Sequence, residues 1–168
     1  MSTARARRNE WLRLEDAALL KQCREERYRA SGPGGQRRNK VETAVRLRHG
    51  ASGVTAQAEE SRSLQENRVR AVRRLRERIA LELRAPLDLE SPAMPSEFTA
   101  LRGPNGTLRV NPKNPAYAIV TATVLDALAA AEGSYAVAGR ALGVTTSQVL
   151  RLLRSDPHAW RAAELVRA

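Results

Sequence analysis

The sequence is poor in reactive and aromatic side chains. It has one cysteine, two histidines and six aromatic residues in 168. A lone thiol, Cys23, excludes an internal disulfide framework, and with two histidines there is no Cys/His set for a metal site. No metal or cofactor is expected. With so few aromatics the core has to be built from Leu, Val and Ala. Lysine is scarce as well, since 26 of the 29 basic residues are Arg. No apolar run approaches the roughly 20 residues of a membrane-spanning helix. The opening M-S-T-A-R-A-R-R-N-E lacks the apolar segment of a secretory signal. These absences point to a cytoplasmic protein with no membrane partner.

What is abundant is positive charge. The net charge is +11 and the sequence pI is about 11.2. Residues 1–84 hold 21 Lys+Arg against 11 Asp+Glu, whereas residues 85–168 hold 8 against 7. A basic half beside a near-neutral half places a polyanion on the first half. Arginine suits bidentate phosphate contact and stacking. A GC-rich genome would explain the choice of Arg over Lys equally well, but not the asymmetry.

The basic half is organised around residues 29–40, R-A-S-G-P-G-G-Q-R-R-N-K. Gly34 and Gly35 in a row open backbone angles closed to residues with a Cβ. Pro33 fixes its own φ and restricts Gly32. The stretch reads as a loop tip that presents Gln36, flanked by Arg29, Arg37, Arg38, Asn39 and Lys40. Taken alone, it is also what a Gly-rich surface turn looks like.

In its full context the loop resembles that of the peptide chain release factor family. The resemblance continues through Thr43-Ala44-Val45-Arg46, His49, Gly53, Glu60, Ser61-Arg62-Ser63 and Asn67-Arg68, and covers about residues 24–84. Arg38 departs from the family pattern, which has a small apolar residue there, and Val41 stands where threonine is usual. The resemblance implies a loop that enters the peptidyl transferase centre of the large ribosomal subunit and promotes hydrolysis of peptidyl-tRNA. Gly34, Gly35 and Gln36 would be the catalytic residues. It also implies methylation of Gln36 by a glutamine methyltransferase. Ribosomal RNA is then the polyanion, and Arg29, Arg37, Arg38, Asn39, Lys40, Arg46, Arg48, Arg62 and Arg68 are the expected contacts.

The chemistry of the residues agrees. Ester hydrolysis needs a positioned water, donors for the developing oxyanion and help for the leaving oxygen. Gln36 does not titrate, so it orients rather than abstracts. Cys23 has no obvious base, and His49 and His158 are far apart in the chain.

Along the chain, residues 1–10 read as a disordered basic arm and 11–23 as a helix that buries Cys23. Residues 24–30 read as a strand, with one helical turn at 38–42. Strands at 43–48 and 54–58 form a hairpin, with Arg46 and Arg48 on the face opposite Val45 and Leu47. A helix over 61–84 starts with capping-box spacing at Ser63 and Glu66. Its apolar stripe is Leu64, Ala71, Val72, Leu75, Ile79 and Leu83, and Glu66 and Arg70 form an i,i+4 pair. Residues 85–115 hold six of the eight prolines and read as a linker, with a hairpin at Asn105-Gly106.

Residues 116–168 read as helical: 116–131, 135–142, 146–154 and a last helix opened by Asp156-Pro157. The second and third resemble a helix-turn-helix. With only Arg151 and Arg154 on its second helix, a packing or protein-binding role is the stronger reading.

The expected fold class is therefore α+β. A release-factor-like catalytic domain (11–84) carries a hairpin-containing sheet under a long helix. An all-α domain (116–168) follows the 85–115 linker. The stop-codon-reading domains of full release factors have no counterpart here, and there is no Lys/Arg-rich tail of the kind carried by short rescue hydrolases. The expected function is codon-independent hydrolysis of peptidyl-tRNA on stalled or split ribosomes. The alternative is a non-catalytic RNA- or DNA-binding regulator.

Overall fold

A computed structural model describes residues 3–29 and 42–168. In chain order its elements are α1 (Thr3–Arg13), α2 (Asp16–Lys21), β1 (Cys23–Tyr28), β2 (Ala44–His49), β3 (Thr55–Ala58), α3 (Leu64–Glu82), α4 (Ser96–Leu101), α5 (Tyr117–Ala130), α6 (Tyr135–Leu142), α7 (Thr146–Arg154) and α8 (Pro157–Arg167). They form two compact units. Leu14–Ile79 is the sheet unit; Met1–Arg13 together with Ala80–Ala168 is the helical unit. The α+β fold class expected from the sequence is the one observed.

The sheet unit has an antiparallel sheet in the order β1-β2-β3. Leu47 pairs with Glu25 on one side and Ala56 on the other, and Arg46 lies between Glu26 and Gln57. From Val45 on, alternation sets the faces, and Ala44 is buried as well. Val45, Leu47 and His49 are buried, while Arg46 and Arg48 are exposed. The β2–β3 turn closes through Gly53, whose φ of 72° suits glycine. Of the apolar stripe expected over 61–84, Ala71, Val72, Leu75 and Ile79 are buried as the 3.6-residue period requires, Leu64 is half-buried, and Leu83 lies just beyond the end of α3 at Glu82. Each such aliphatic side chain contributes about 1.5–3 kcal/mol when fully buried, alanine less. Ser63 Oγ caps α3 by accepting from the Glu66 N–H at 3.3 Å. The capping box is not reciprocal, because the Glu66 carboxylate accepts from Ser61 Oγ at 2.6 Å instead.

The helical unit is built around α5. Ile119 to Leu128 are all buried, including Thr121, Thr123 and Asp126. α1, α4, α6, α7 and α8 pack against α5. The last three helices occupy the spans expected from the sequence. Ser134, Thr145 and Asp156 cap them through their side chains, and Gly143 ends α6 at φ 67°.

Three expectations are corrected. Residues 3–13 are a helix, not a disordered arm, and Arg5, Arg8 and Asn9 are buried in it. The reason lies elsewhere in the chain. Buried Asp126 draws Arg8 to 2.9 Å and Arg84 to 3.2 Å, with Arg5 at 3.6 Å. The Arg5 guanidinium also donates to the carbonyls of Pro86 and Ala93.

The second correction concerns the helix expected over 11–23. It is two pieces: α1 stops at Arg13, Glu15 is extended, and α2 starts at Asp16. Cys23 therefore opens β1, where its thiol donates to the Leu19 carbonyl at 3.2 Å. Burial pushes that thiol above its ordinary pKa.

The third is the linker. Residues 85–115 pack into the helical unit through Leu87, Phe98 and Leu108, which belong to its core. The Asn105-Gly106 turn is present, with φ of 58° and 70°, but its flanks make a single bridge, Arg102 to Leu108.

Candidate functional site around the glycine-rich loop

Residues 30–41 lie outside the described residues. The expected catalytic residues Gly34, Gly35 and Gln36 and the expected RNA contacts Arg37, Arg38, Asn39 and Lys40 fall there, as does most of the helical turn expected at 38–42; Glu42 is outside any helix. What the structure defines is the frame from which this segment leaves and to which it returns. β1 ends at Tyr28, paired with Ala44 at the start of β2. Arg29 and Glu42 approach to 3.9 Å across the opening. Both are exposed, so the pair contributes little by itself.

Asn67 ties the returning strand down. Its side-chain amide is buried, and its Nδ2 donates to the Thr43 carbonyl at 2.7 Å and the Ser61 carbonyl at 2.8 Å. Its Oδ1 accepts from the Ser61 N–H at 3.0 Å. One side chain on α3 thereby fixes both the end of the loop and the segment entering the helix. On the outgoing side, Tyr28 Oη donates to Glu59 at 3.1 Å, and the Arg46 guanidinium lies 5.3 Å from the centre of its ring. Burial and the Glu59 contact raise the Tyr28 pKa.

Arg68, expected among the RNA contacts, has a partner inside the unit. It donates to both oxygens of Glu25, each at 2.8 Å. Glu25 also accepts from Arg27 at 3.0 Å, and the Arg68 hydrogen bond is the main cause of its lowered pKa. This is the bidentate geometry in which Arg is strongest. It makes Arg68 a strut between α3 and β1.

The other described candidates stand on the surface. Arg46 reaches Gln57 at 3.4 Å and Glu26 at 3.9 Å. Arg48 and Arg62 are exposed and without an acid partner among the described residues. Arg24 and Arg48 are direct cross-strand partners. Like charges so placed repel, and Glu26, at 3.4 Å from Arg24, offsets part of that repulsion. On α3, Arg70 and Arg74 share Glu60 at 4.0 and 2.5 Å, Arg70 meets Glu66 at 3.8 Å as its spacing requires, and Arg76 meets Asp16 at 2.7 Å. The α3 face thus carries both signs, and its bare excess of arginine overstates the free positive charge.

His49 takes no part in an exposed site. It is buried, with Nδ1 at 2.8 Å from Ser52 Oγ and 3.3 Å from the Ser52 N–H. Nε2 lies 3.2 Å from Gln22 Oε1. An N–H donated to Nδ1 and an amide oxygen at Nε2 fit the neutral ring with its proton on Nε2. Burial lowers its pKa. Among the described residues no group of His, Cys, Asp and Glu is placed to hold a metal ion, and no helix is long and apolar enough to cross a membrane.

The framing role of Asn67 was legible only as one position in a motif; nothing local says which carbonyls it meets. The Arg5, Arg8, Arg84 and Asp126 cluster left no signal at all, because its members lie up to 121 positions apart in the sequence.

Comparison with known proteins covers this frame and the loop together. Residues 18–97 match the RF-1 domain family. Peptide chain release factor 1 of Lacticaseibacillus casei (strain BL23) is 48% identical over 59 residues, 35% of this chain and 16% of that protein. Its counterpart in Chloroherpeton thalassium is 50% identical over 52 residues, 31% of this chain and 14% of that protein. Peptide chain release factor 2 of Campylobacter lari is 41% identical over 79 residues, 46% of this chain and 22% of that protein. The match spans less than a quarter of the length of these relatives.

Proposed function

We propose, from the premise that this chain belongs to the peptide chain release factor family through its RF-1 domain, that it hydrolyses the ester of peptidyl-tRNA on the ribosome. The observation that carries this reading is the G-G-Q sequence at 34–36 between two fixed chain ends. Water attacks the ester carbonyl, the carbonyl oxygen gains negative charge, and the ribose 3′-oxygen leaves and takes a proton. Gln36 orients the water through its side-chain amide, and its backbone N–H faces the developing charge. Gly34 and Gly35 let the main chain come close. The ribosome and the tRNA's own 2′-hydroxyl supply the rest. Arg48 and Arg62, with the basic residues of the loop, contact ribosomal RNA phosphates.

We read the action as codon-independent, on stalled or split ribosomes. The residues on either side of the sheet unit build a helical unit, and that unit is the part of the chain left to select the ribosomal state. A regulator that reads DNA through α6 and α7 is the weaker reading. The N-terminal end of α7, which a reading helix presents to the groove, has the 104–106 turn against it: the Thr145 N–H donates to the Gly106 carbonyl at 3.1 Å.

The test is peptide release from purified ribosome–peptidyl-tRNA complexes. Gly35→Ala is expected to abolish release without loss of folding. Gln36→Ala is expected to retain part of it, if the backbone N–H carries most of the effect. Full release by Gly35→Ala overturns the assignment. Methylation of Gln36 belongs to the same reading. Peptide mass spectrometry on protein from its native host is expected to find the extra methyl group.

A further inference from the structure

The arginines of the last three helices differ from those of the sheet unit. Arg140, Arg151, Arg154, Arg161 and Arg167 are exposed, and none has an acid partner among the described residues. Two of them lie against aromatic rings. The Arg154 guanidinium is 4.9 Å from the centre of Trp160. Trp160 and Tyr135 stack at 6.3 Å between centroids, with planes 10° apart. The Arg167 guanidinium is 5.0 Å from the centre of Tyr135.

Arg154, Trp160, Tyr135 and Arg167 therefore form one series drawn from α7, α8 and α6, with an open cation at each end. Its seat is shaped by Gly133, at φ 80°. A Cβ there would sit 2.8 Å from Arg167 Cγ and 3.3 Å from its Cα. The arginine stem can lie across position 133 only because no side chain stands there.

A stack that served packing alone would be expected to bury its ends or close them on carboxylates. Glu164 lies one helical turn from both Trp160 and Arg167, yet forms no ion pair with Arg167. The two guanidiniums keep their donors and their solvent-facing surfaces free. Planar cations in series with aromatic rings match the π-face of a nucleobase, and the match does not depend on which base it is.

We propose that this series is a platform on which unpaired RNA bases stack, distinct from the RF-1 domain's RNA face. Bases continue the series beyond Arg154 and Arg167, and Arg151 and Arg161 meet the adjoining phosphates. Two phosphate contacts on a single strand give a log–log salt slope of about −1.4, and stacking supplies the part of the binding that salt leaves unchanged. The site gives the helical unit a way to select exposed single-stranded RNA. It holds whether or not the chain hydrolyses peptidyl-tRNA.

The full chain carrying Trp11→Phe tests this, because Trp160 is then its only tryptophan. A short, unstructured RNA of mixed sequence is expected to quench Trp160 fluorescence saturably, and the same sequence as a duplex is not. Arg154→Lys with Arg167→Lys keeps the charge and removes the planes. It is expected to weaken the quenching interaction about ten-fold with an unchanged melting temperature. The proposal fails if labelled RNA binds by anisotropy while Trp160 is unaffected. It fails equally if duplex and single strand quench alike, or if the lysine pair binds as the parent does. Should the lysine pair unfold the helical unit, the contrast between single strand and duplex on the Trp11→Phe parent decides alone. A response to acidic peptides but not to RNA would assign the surface to a protein partner and overturn the proposal.

Discussion

Asn67 and His49 show how much of the sheet unit depends on single buried polar side chains. The Asn67 amide donates two hydrogen bonds to carbonyls and accepts one. Asn67→Asp keeps the shape but turns the donating nitrogen into an oxygen facing two carbonyl oxygens. Leaving buried groups unpaired costs about 1–3 kcal/mol each. The variant is expected to lose about 3 kcal/mol in urea unfolding; under the proposed function, its peptide release is expected to fall more than its ribosome affinity, because the end of the loop is no longer held.

His49 adds a pH dependence. Its pKa in the folded chain lies below the ordinary 6.5 because burial disfavours the charged ring. The unfolded chain therefore binds that proton more readily than the folded one. The stabilising effect is complete above pH 6.5 and is lost as pH falls from there through the folded value. His49→Gln cannot titrate. The wild-type advantage in urea midpoint over this variant is expected to shrink between pH 7.5 and 5.5; a gap that stays constant would contradict it.

α1 is an element whose fold is decided by another element. Its sequence, T-A-R-A-R-R-N-E-W-L-R, has no acidic residue in its first turn and little amphipathic character. Three arginines, Arg5, Arg8 and Arg84, converge on one carboxylate, Asp126, which also accepts from the Ala85 N–H at 2.9 Å. Burial brings the Arg84 pKa down to about 10. Arg13 holds the other end of α1 by pairing with Glu97 at 2.5 Å, which lowers the Glu97 pKa to about 2.

Asp126→Asn leaves three clustered cations without their counter-charge. Breaking a buried ion pair in this way costs about 3–5 kcal/mol. The variant is expected to lose that much stability, and trypsin is expected to cut α1 at Arg5, Arg7 or Arg8 far faster than in the wild type. Unchanged proteolysis would show that α1 docks by other means.

At the scale of the whole molecule, the division of the chain is discontinuous. The helical unit takes its first helix from residues before the sheet unit and the rest from residues after it. A cut near Ser91, in what composition marks as a linker, separates Arg5, Arg8, Arg84 and Leu87 from the helices they complete. The fragment 92–168 is expected to show reduced helicity and a broad thermal transition by circular dichroism. Restoring residues 80–91 together with a covalently linked α1 is expected to recover a cooperative one. A sharp transition for 92–168 alone, at the temperature of the full chain, would refute this organisation.

Local chemistry settled a good deal from the sequence alone. The alternation of T-A-V-R-L-R, the 3.6-residue stripe of α3, the caps at Ser63 and Asp156 and the Asn105-Gly106 turn each depend on neighbours a few positions away. So does the G-G-Q context that pointed to the release factor family. These features are readable because helix periods, strand alternation and capping act over one or two turns of chain. The tertiary structure alone decided whether residues 3–13 and 85–115 are packed, where the long helix expected over 11–23 breaks, and which arginines are free. Prolines and an arginine-rich terminus look like a linker and an arm until a distant partner is present. Asp126 supplies one such partner to α1, and the core of the helical unit supplies another to Leu87, Phe98 and Leu108. Glu25 does the same for Arg68. An arginine in sequence is only a charge; whether it meets RNA or a carboxylate depends on what the fold brings within about 3 Å of it.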